Sequence, residues 1–258
     1  ERNDFITKRL NIFVHSGEQS FVDLEVIRRN SGYLDISTLK GRDCIGGFDL
    51  SSSEDFTSAC LEFPLDNNDV FVLSHSFIPE RKAQLDQENL PFRDWEKEGL
   101  LTICKGDYVD FQDVYDWFIK QSELYSILKI TYDPANAFRL VRELQSYGGE
   151  EWTKLVRQGA ITLSPALKDI KEMLLDGRVI FNRNRLLQWY INNVRLVDDR
   201  NGNWLPSKQG IYRKIDGFAA WLNAHTETMK YMIIPNEDVG DGPGDVNFLS
   251  INDLRKRG

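Results

Sequence analysis

Three apolar runs separated by turn-forming residues most constrain how this chain folds. The runs cover residues 44–50, 56–65 and 70–78, and Phe, Val, Leu and Ile are frequent in them. A Ser and acidic cluster at 51–55 separates the first two runs, and the sequence Asp-Asn-Asn-Asp at 66–69 separates the last two. Such clusters favour tight reversals of the chain. The pattern therefore predicts three consecutive antiparallel strands.

The rest of the chain alternates helical patterns with one further strand. Apolar residues at helical spacing predict helices at 110–125, 135–147, 164–175 and 184–193, and a last helix that begins at residue 216. Residues 126–132 predict a strand, 194–197 and 204–205 a hairpin, and 79–108 irregular chain with a short helix. Together these elements predict an α/β domain with a mixed sheet.

The composition supports one folded domain with two appendages. Of the 258 residues, 41% are hydrophobic and 12% aromatic, which is enough to build a core and excludes an intrinsically disordered chain. We expect a connecting arm at 1–42, the folded domain at 43–234 and a flexible, glycine-containing tail at 235–258. Because the sequence begins with Glu1 rather than Met, we expect a processed product or a fragment of a longer protein.

Several classes of protein and site lack their signatures here. No apolar stretch approaches the roughly 18 residues that span a bilayer, and no signal peptide is visible, so we expect a soluble, intracellular protein without a membrane partner. The three Cys residues lack CxxC spacing and the three His residues lack a metal-binding motif, so we expect them to be packing or surface residues. The P-loop motif is missing as well, which predicts no ATP site in this sequence.

The charge distribution bears on nucleic-acid binding. A formal net charge of −8 argues against nonspecific coating of DNA, because affinity for phosphates comes from Lys and Arg. Basic residues are nevertheless concentrated in the segment that leads to Asp216, namely Arg178, Arg183, Arg185, Arg195, Lys208, Arg213 and Lys214. This concentration fits a DNA-binding surface, and it fits a solvated face of mixed charge equally well.

Three aspartates are candidates for a shared metal site. Asp49 lies inside an apolar strand run, where a charge needs a partner or a metal. Asp133 ends a predicted strand that should lie beside it, and Asp216 begins a helix that must pack on the same sheet. If the fold brings them together, divalent cations such as Mg²⁺ would relieve their repulsion, and two ions could support phosphodiester hydrolysis. Alternatively, Asp133 and Asp216 are helix N-caps.

Several separate motifs, in order, resemble those of one known family. The stretch Gly46-Gly47-Phe48-Asp49-Leu50-Ser51, with Asp55 and Thr57 downstream, is similar to the first nuclease motif of the large terminase subunits of tailed bacteriophages. Tyr132-Asp133-Pro134 resembles the second motif. The third block is represented by Trp189, Asn193, 201–203, Lys208 and 214–220. The resemblance covers about residues 40–230.

This resemblance implies a fold, an activity and roles for individual residues. The fold would be RNase H-like, a mixed β-sheet flanked by helices, and the activity would be metal-dependent cutting of concatemeric viral double-stranded DNA with Mg²⁺ or Mn²⁺. Asp49 would bridge two ions, and Asp133 and Asp216 would each complete the shell of one. Lys208 and Lys214 would orient a phosphate or stabilise the transition state, with Asp55 as an outer residue of the site.

The resemblance also implies partners and a location. They are the N-terminal packaging ATPase domain of the same full-length chain, a small terminase subunit, the portal protein and viral DNA, all in the cytoplasm of the host cell. Two alternatives remain open, a resolvase-like or transposase-like nuclease of the same fold and a noncatalytic packaging module, because a fold alone does not define the substrate.

Overall fold

A computed structural model describes residues 20–51, 55–85, 90–208 and 213–232. The strands are β1 Asp43–Asp49, β2 Thr57–Pro64, β3 Val70–Pro79, β4 Leu101–Cys104, β5 Ser126–Tyr132, β6 Thr153–Leu155, β7 Val179–Ile180, β8 Val194–Asp198 and β9 Trp204–Lys208. The helices are α1 Leu24–Arg29, α2 Glu80–Leu85, α3 Phe92–Lys97, α4 Phe111–Ser122, α5 Phe138–Gly148, α6 Ala160–Asp176, α7 Arg185–Asn193 and α8 Asp216–Thr228.

Among the described residues, seven strands form one mixed sheet in the order β4-β3-β2-β1-β5-β6, with β7 also paired to β3. Strands β1, β2 and β3 are antiparallel neighbours, as the three apolar runs predict. Strand β5 lies parallel to β1, and Tyr132 at its end pairs with Phe48. The sheet thus places the end of β1 and the end of β5 side by side. Strands β8 and β9 form the separate, predicted hairpin.

The helices cover both faces of the sheet. Helices α1, α6, α7 and α8 pack with one set of strand side chains, and α4 and α5 pack with the other set. Because side chains of a strand alternate between faces, Ile45 of β1 belongs to the first core and Cys44 and Phe48 to the second. This alternation confirms the expected mixed sheet flanked by helices. It also assigns Gly47 and Asp49 to the face that carries α8.

Helix α8 lies with its backbone directly on Gly47. A Cβ atom at position 47 would collide with the carbonyl oxygen of Ala220 and would lie 2.8 Å from the backbone nitrogen of Ala224. No residue larger than glycine fits there without moving the helix. Asn223 adds a hydrogen bond from its Nδ2 to the carbonyl oxygen of Phe48, at 3.0 Å. The position of α8 over β1 is therefore fixed by a close backbone contact.

A buried polar network also holds α8 to the sheet. Glu62 of β2 accepts hydrogen bonds from Trp221 Nε1 at 2.8 Å and from His225 Nδ1 at 2.9 Å. His225 Nε2 lies 2.8 Å from a carboxyl oxygen of Asp169 on α6. Burial alone would lower the pKa of His225, but the charge of Glu62 and the bonds to both carboxyl groups raise it to about 9. His225 is therefore a buried cation between two acids, and it has no role at the sheet edge.

Residues 20–42, which we expected in a connecting arm, pack against the domain instead. Phe21, Val22 and Ile27 are buried in the core beneath α6 and α7, and Leu39 is buried on the opposite face. Their short apolar clusters make long-range packing contacts, which leave no local periodicity in the sequence. The remainder of the expected arm at 1–19 and the expected tail at 235–258 lie outside the described residues.

Two helix starts and one strand also differ from the sequence prediction. Helix α5 begins at Phe138 rather than at residue 135, because Asn136 adopts a left-handed backbone conformation with φ 59°. Helix α6 begins at Ala160, ahead of Pro165, because Thr162 and Leu163 already bond back to the carbonyl of Gly159. Strand β4 forms in a segment predicted to be irregular, where four residues pair with the end of β3.

Replacing Gly47 by Ala should lower the free energy of unfolding by about 2 kcal/mol or more, because the added methyl group forces α8 away from β1. Urea unfolding measures the change. Gly32→Ala is the matched control, since the nearest atom to its added Cβ is a side-chain carbon of Ile180 at 3.8 Å. Equal stability of the two variants would contradict the close contact between α8 and β1.

Candidate active site

Two of the three candidate aspartates lie at the ends of neighbouring parallel strands. Asp49 is the last residue of β1, and Asp133 directly follows β5. The residues before them, Phe48 and Tyr132, are paired in the sheet. Because parallel strands end at the same edge, both carboxyl groups belong to one edge of the sheet. The sequence prediction that these two strands are neighbours is confirmed.

The third candidate reaches the same edge through α8. Asp216, Ala220 and Ala224 follow one another at four-residue spacing and so share one face of the helix. Ala220 and Ala224 rest on Gly47. Asp216 lies about one helical turn from Ala220, or about 5.4 Å along the helix, and Asp49 lies two residues beyond Gly47, or about 6.6 Å along the strand. Both aspartates are thus displaced by similar distances from the contact between Ala220 and Gly47, so Asp216 lies near Asp49. The close packing of Ala220 and Ala224 on Gly47 thus places Asp216, the first residue of α8, near the end of β1.

The three aspartates share one electrostatic environment. Burial raises the pKa of Asp49 to about 7, with further contributions from the charges of Asp216 and Asp133. Burial also raises the pKa of Asp216 to about 6, and the charge of Asp55 contributes next. The charge of Lys208 opposes both rises. These carboxyl groups therefore repel one another, and the lysine offsets only part of the repulsion.

The alternative role as helix caps applies to these aspartates only in part. Asp133 accepts a hydrogen bond at 2.9 Å from the backbone nitrogen of Ala135. This bond stabilises a turn that precedes α5, and it does not cap the helix, which begins at Phe138. Asp216 is the first residue of α8, and the N-cap position belongs to Ile215. Local backbone capping therefore does not account for the position of Asp216.

Lys208 and Lys214 differ in their surroundings. Lys208 ends β9 and is exposed, and its charge acts on both Asp49 and Asp216. Lys214 is buried and forms an ion pair with Asp55. Of the two lysines singled out in the sequence, Lys208 is thus the one with an accessible ammonium group beside the aspartates.

Asp55 is neutralised by the protein itself. Burial alone would raise its pKa, but hydrogen bonds from Lys214 and from the backbone nitrogen of Phe56, together with nearby positive charge, lower it. The second cation is Lys82, whose Nζ lies 3.7 Å from a carboxyl oxygen of Asp55. Lys82 could not be singled out from the sequence, because it lies on a short helix without a motif. Asp55 is therefore a charged, paired neighbour of the three aspartates.

The basic residues before Asp216 do not form one free surface. Arg178 pairs with Asp176 at 3.3 Å, and Arg185 pairs with Glu98. Arg195 is buried, and its Nη1 donates to the carbonyls of Asn192 and Val194, both at 2.9 Å. Much of the basic segment therefore neutralises acids or supports the backbone.

The donor set fits a hard divalent cation. Carboxylate oxygens are the ligands that Mg²⁺ and Mn²⁺ take in proteins, and a bound cation would favour the charged form of Asp49 against the burial and the repulsion that raise its pKa. Among the described residues, no three His, Cys, Asp or Glu side chains already stand grouped closely enough to hold an ion. Holding ions would therefore require the side chains of Asp49, Asp133 and Asp216 to turn toward a common point.

Comparison with known proteins identifies a family for the chain. Residues 1–231 match the family model described as terminase large subunit, endonuclease domain. A curated relative, the terminase large subunit of Enterobacteria phage HK97, is 23% identical over 181 residues, which are 69% of this chain and 36% of that protein. The chain thus spans about a third of the length of this relative.

Two solved structures show the same RNase H-like fold. The crystal structure of the HK97 bacteriophage large terminase superposes with a TM-score of 0.72 at 20% identity, over 80% of this chain and 43% of that one. The large terminase nuclease of thermophilic phage G20c, solved with bound magnesium, gives a TM-score of 0.52 at 11% identity, over 82% and 98% of the two chains. At these identities the likeness concerns the fold.

Replacing Asp49 by Asn should stabilise the protein in EDTA and abolish its stabilisation by Mn²⁺. A carboxyl with a pKa of about 7 when folded and about 3.9 when unfolded favours the unfolded state above both values. Allowing for solvent screening, we expect a gain of about 1–2 kcal/mol at about pH 8, which fades as the pH falls toward about 4. Urea unfolding with and without Mn²⁺ measures both effects.

The control for this substitution is Asp23→Asn, at an exposed aspartate ahead of α1. It should alter stability little, with or without Mn²⁺. If Asp49→Asn were less stable than the original protein in EDTA, or still gained the full stabilisation from Mn²⁺, the repulsive site described above would be wrong.

Proposed function

The chain belongs to the family of terminase large subunit endonuclease domains, and from this premise we propose that it is a metal-dependent endonuclease that cuts double-stranded viral DNA during genome packaging. The observation that carries the proposal is the approach of Asp49, Asp133 and Asp216 to one sheet edge, where burial and then the charges of the other two aspartates raise the pKa of Asp49. A site of this kind suits cations that act on a phosphodiester.

In the proposed site, each aspartate would have a separate role. Asp49, whose pKa responds to the charges of both other aspartates, would hold both Mg²⁺ or Mn²⁺ ions, and Asp133 and Asp216 would each be a ligand of one. The magnesium bound in the G20c nuclease, which shares this fold, supports the choice of a divalent cation. When bound, the ions supply an activated water and stabilise the charge on the leaving oxygen.

Lys208 is the proposed catalytic lysine. Its ammonium group is exposed and close enough to Asp49 and Asp216 to oppose part of the rise in the pKa of each. A cation at that place can hold a nonbridging oxygen of the scissile phosphate and stabilise the charge that develops during cleavage. Lys214, in contrast, keeps Asp55 charged and in place.

The partners and the location are part of the proposal. Since the chain covers 36% of the HK97 relative, the remaining length leaves room for a packaging ATPase domain that would carry the ATP site. We propose that the nuclease acts on concatemeric DNA with a small terminase subunit and the portal protein, in the host cytoplasm. Within the described part of the chain, no helix is long and apolar enough to cross a membrane.

Single Ala substitutions of Asp49, Asp133 and Asp216 should each reduce Mn²⁺-dependent plasmid cleavage by about 100-fold or more, because each removes a ligand of the proposed ions. Agarose-gel assays measure cleavage, and circular dichroism verifies the fold. The exposed-site variant Asp23→Ala should cut at the original rate. Undiminished cutting by pure Asp49→Ala protein would rule out the assignment, whereas Mn²⁺ binding without any cutting by the original chain would favour a noncatalytic packaging module.

Replacing Lys208 by Met should lower kcat by about 10- to 100-fold and leave KM within about twofold, because the charge acts on the transition state more than on bound DNA. Steady-state cleavage of a fluorescent duplex in Mn²⁺ separates the two constants. Lys40→Met is the control, at an exposed lysine that precedes β1 at the other edge of the sheet. An equal kcat for both variants would remove Lys208 from the catalytic group.

A further inference from the structure

A pocket lies next to the ends of β1 and β5, on the face of the sheet that carries α4 and α5. It has a volume of about 230 Å³ and is lined by polar side chains from the segments that follow β1 and β5, and by side chains around the start of α4. Ser51 is two residues beyond Asp49, and Asn136 is three residues beyond Asp133. The pocket therefore lies at the same end of β1 and β5 as the candidate aspartates, although none of the three lines it.

Arg139 supplies a positive charge to the pocket, which is also lined by the exposed Asp110 ahead of α4. Its guanidinium lies 4.4 Å from the centre of the Phe111 ring, which holds it by a cation–π contact. Within the described residues, no carboxylate forms an ion pair with Arg139. The charge is thus held in position by a ring and is available to an anion, in a chain whose net charge is −8.

Tyr108 adds an aromatic surface to the same pocket. Its side chain is 67% exposed, although it lines the pocket beside Phe111. An exposed ring beside a free guanidinium and a few hydroxyl and amide groups matches one nucleotide unit of a DNA backbone, since Arg contacts phosphate and Tyr contacts phosphate or sugar. The hydroxyl and amide groups are those of Ser51, Thr57 and Asn136.

We propose that this pocket, the Arg139 pocket, is a subsite for the DNA nucleotide next to the scissile phosphate. Arg139 binds the backbone phosphate, and the ring of Tyr108 packs on the adjoining deoxyribose. The proposal rests on the proposed nuclease function and adds a way to place the strand. Because the rest of the chain is acidic, a local cation at the sheet edge has a large share in keeping DNA over the aspartates.

The test compares Arg139→Gln with Arg142→Gln, a closely matched control. Both arginines are exposed on α5, both lie over an aromatic ring, and both substitutions remove one charge, but Arg142 faces Phe138 at 5.7 Å and does not line the pocket. Binding to a duplex of about 30 base pairs is measured by fluorescence anisotropy in Ca²⁺, at several salt concentrations. Cleavage in Mn²⁺ gives kcat and KM.

Arg139→Gln should weaken binding by about 5- to 10-fold, reduce the salt slope of log K by about one and raise KM with kcat within about twofold. Arg139→Lys should keep the salt slope, and Tyr108→Ala should weaken binding by about threefold with an unchanged slope, because it removes no charge. Arg142→Gln should remain within about twofold of the original protein. Thermal melting of each variant separates lost binding from lost folding.

Equal effects of Arg139→Gln and Arg142→Gln on binding and on KM would overturn the subsite, even if the original protein cuts DNA. If the original protein binds but does not cut, a selective loss of binding in Arg139→Gln upholds the subsite while the proposed nuclease function fails. If Arg139→Gln melts early, Tyr108→Ala decides, since an exposed ring contributes little to folding: unchanged DNA binding by this variant would overturn the proposal.

Discussion

The contact between the backbone of α8 and Gly47 of β1 is the constraint on which the rest of the structure depends. Since position 47 has no side chain, Ala220 and Ala224 come close enough to fix the helix in one register over the strand. That register brings Asp216 to the end of β1, where Asp49 lies. A helix held farther out by a larger residue would leave the third carboxyl group away from the other two.

The protein contains acids of two kinds in its interior and at its sheet edge. Glu62 is fully buried, and the charged ring of His225 compensates it, while Lys214 compensates Asp55. At Asp49, in contrast, burial and then the charges of three further acids raise the pKa, and one exposed lysine opposes them. The protein therefore neutralises its structural acids with its own cations and leaves the acids at the sheet edge only partly compensated, which fits the proposed metal site.

Elements with strong local signals could be predicted, and elements formed by long-range contacts could not. The antiparallel strands β1 to β3 follow from apolar runs and turn residues, and the sequence prediction of them is confirmed. Strand β4 has four residues, and its ladder with β3 decides its conformation. Phe21 and Ile27 enter the core although their segment shows no period. Helix α5 begins later than predicted because Asn136 adopts a left-handed backbone conformation, which an Asn residue permits but does not require.

By itself, the sequence determined the identity of the acids, the strands that carry Asp49 and Asp133, and the glycine that makes a close helix contact feasible. Only the tertiary structure decided which charges meet. It paired Lys214 with Asp55, left Lys208 exposed beside the aspartates and enclosed His225 between two acids. The physical reason is that charge interactions depend on distance and burial, and both are set by packing between segments that are remote along the chain.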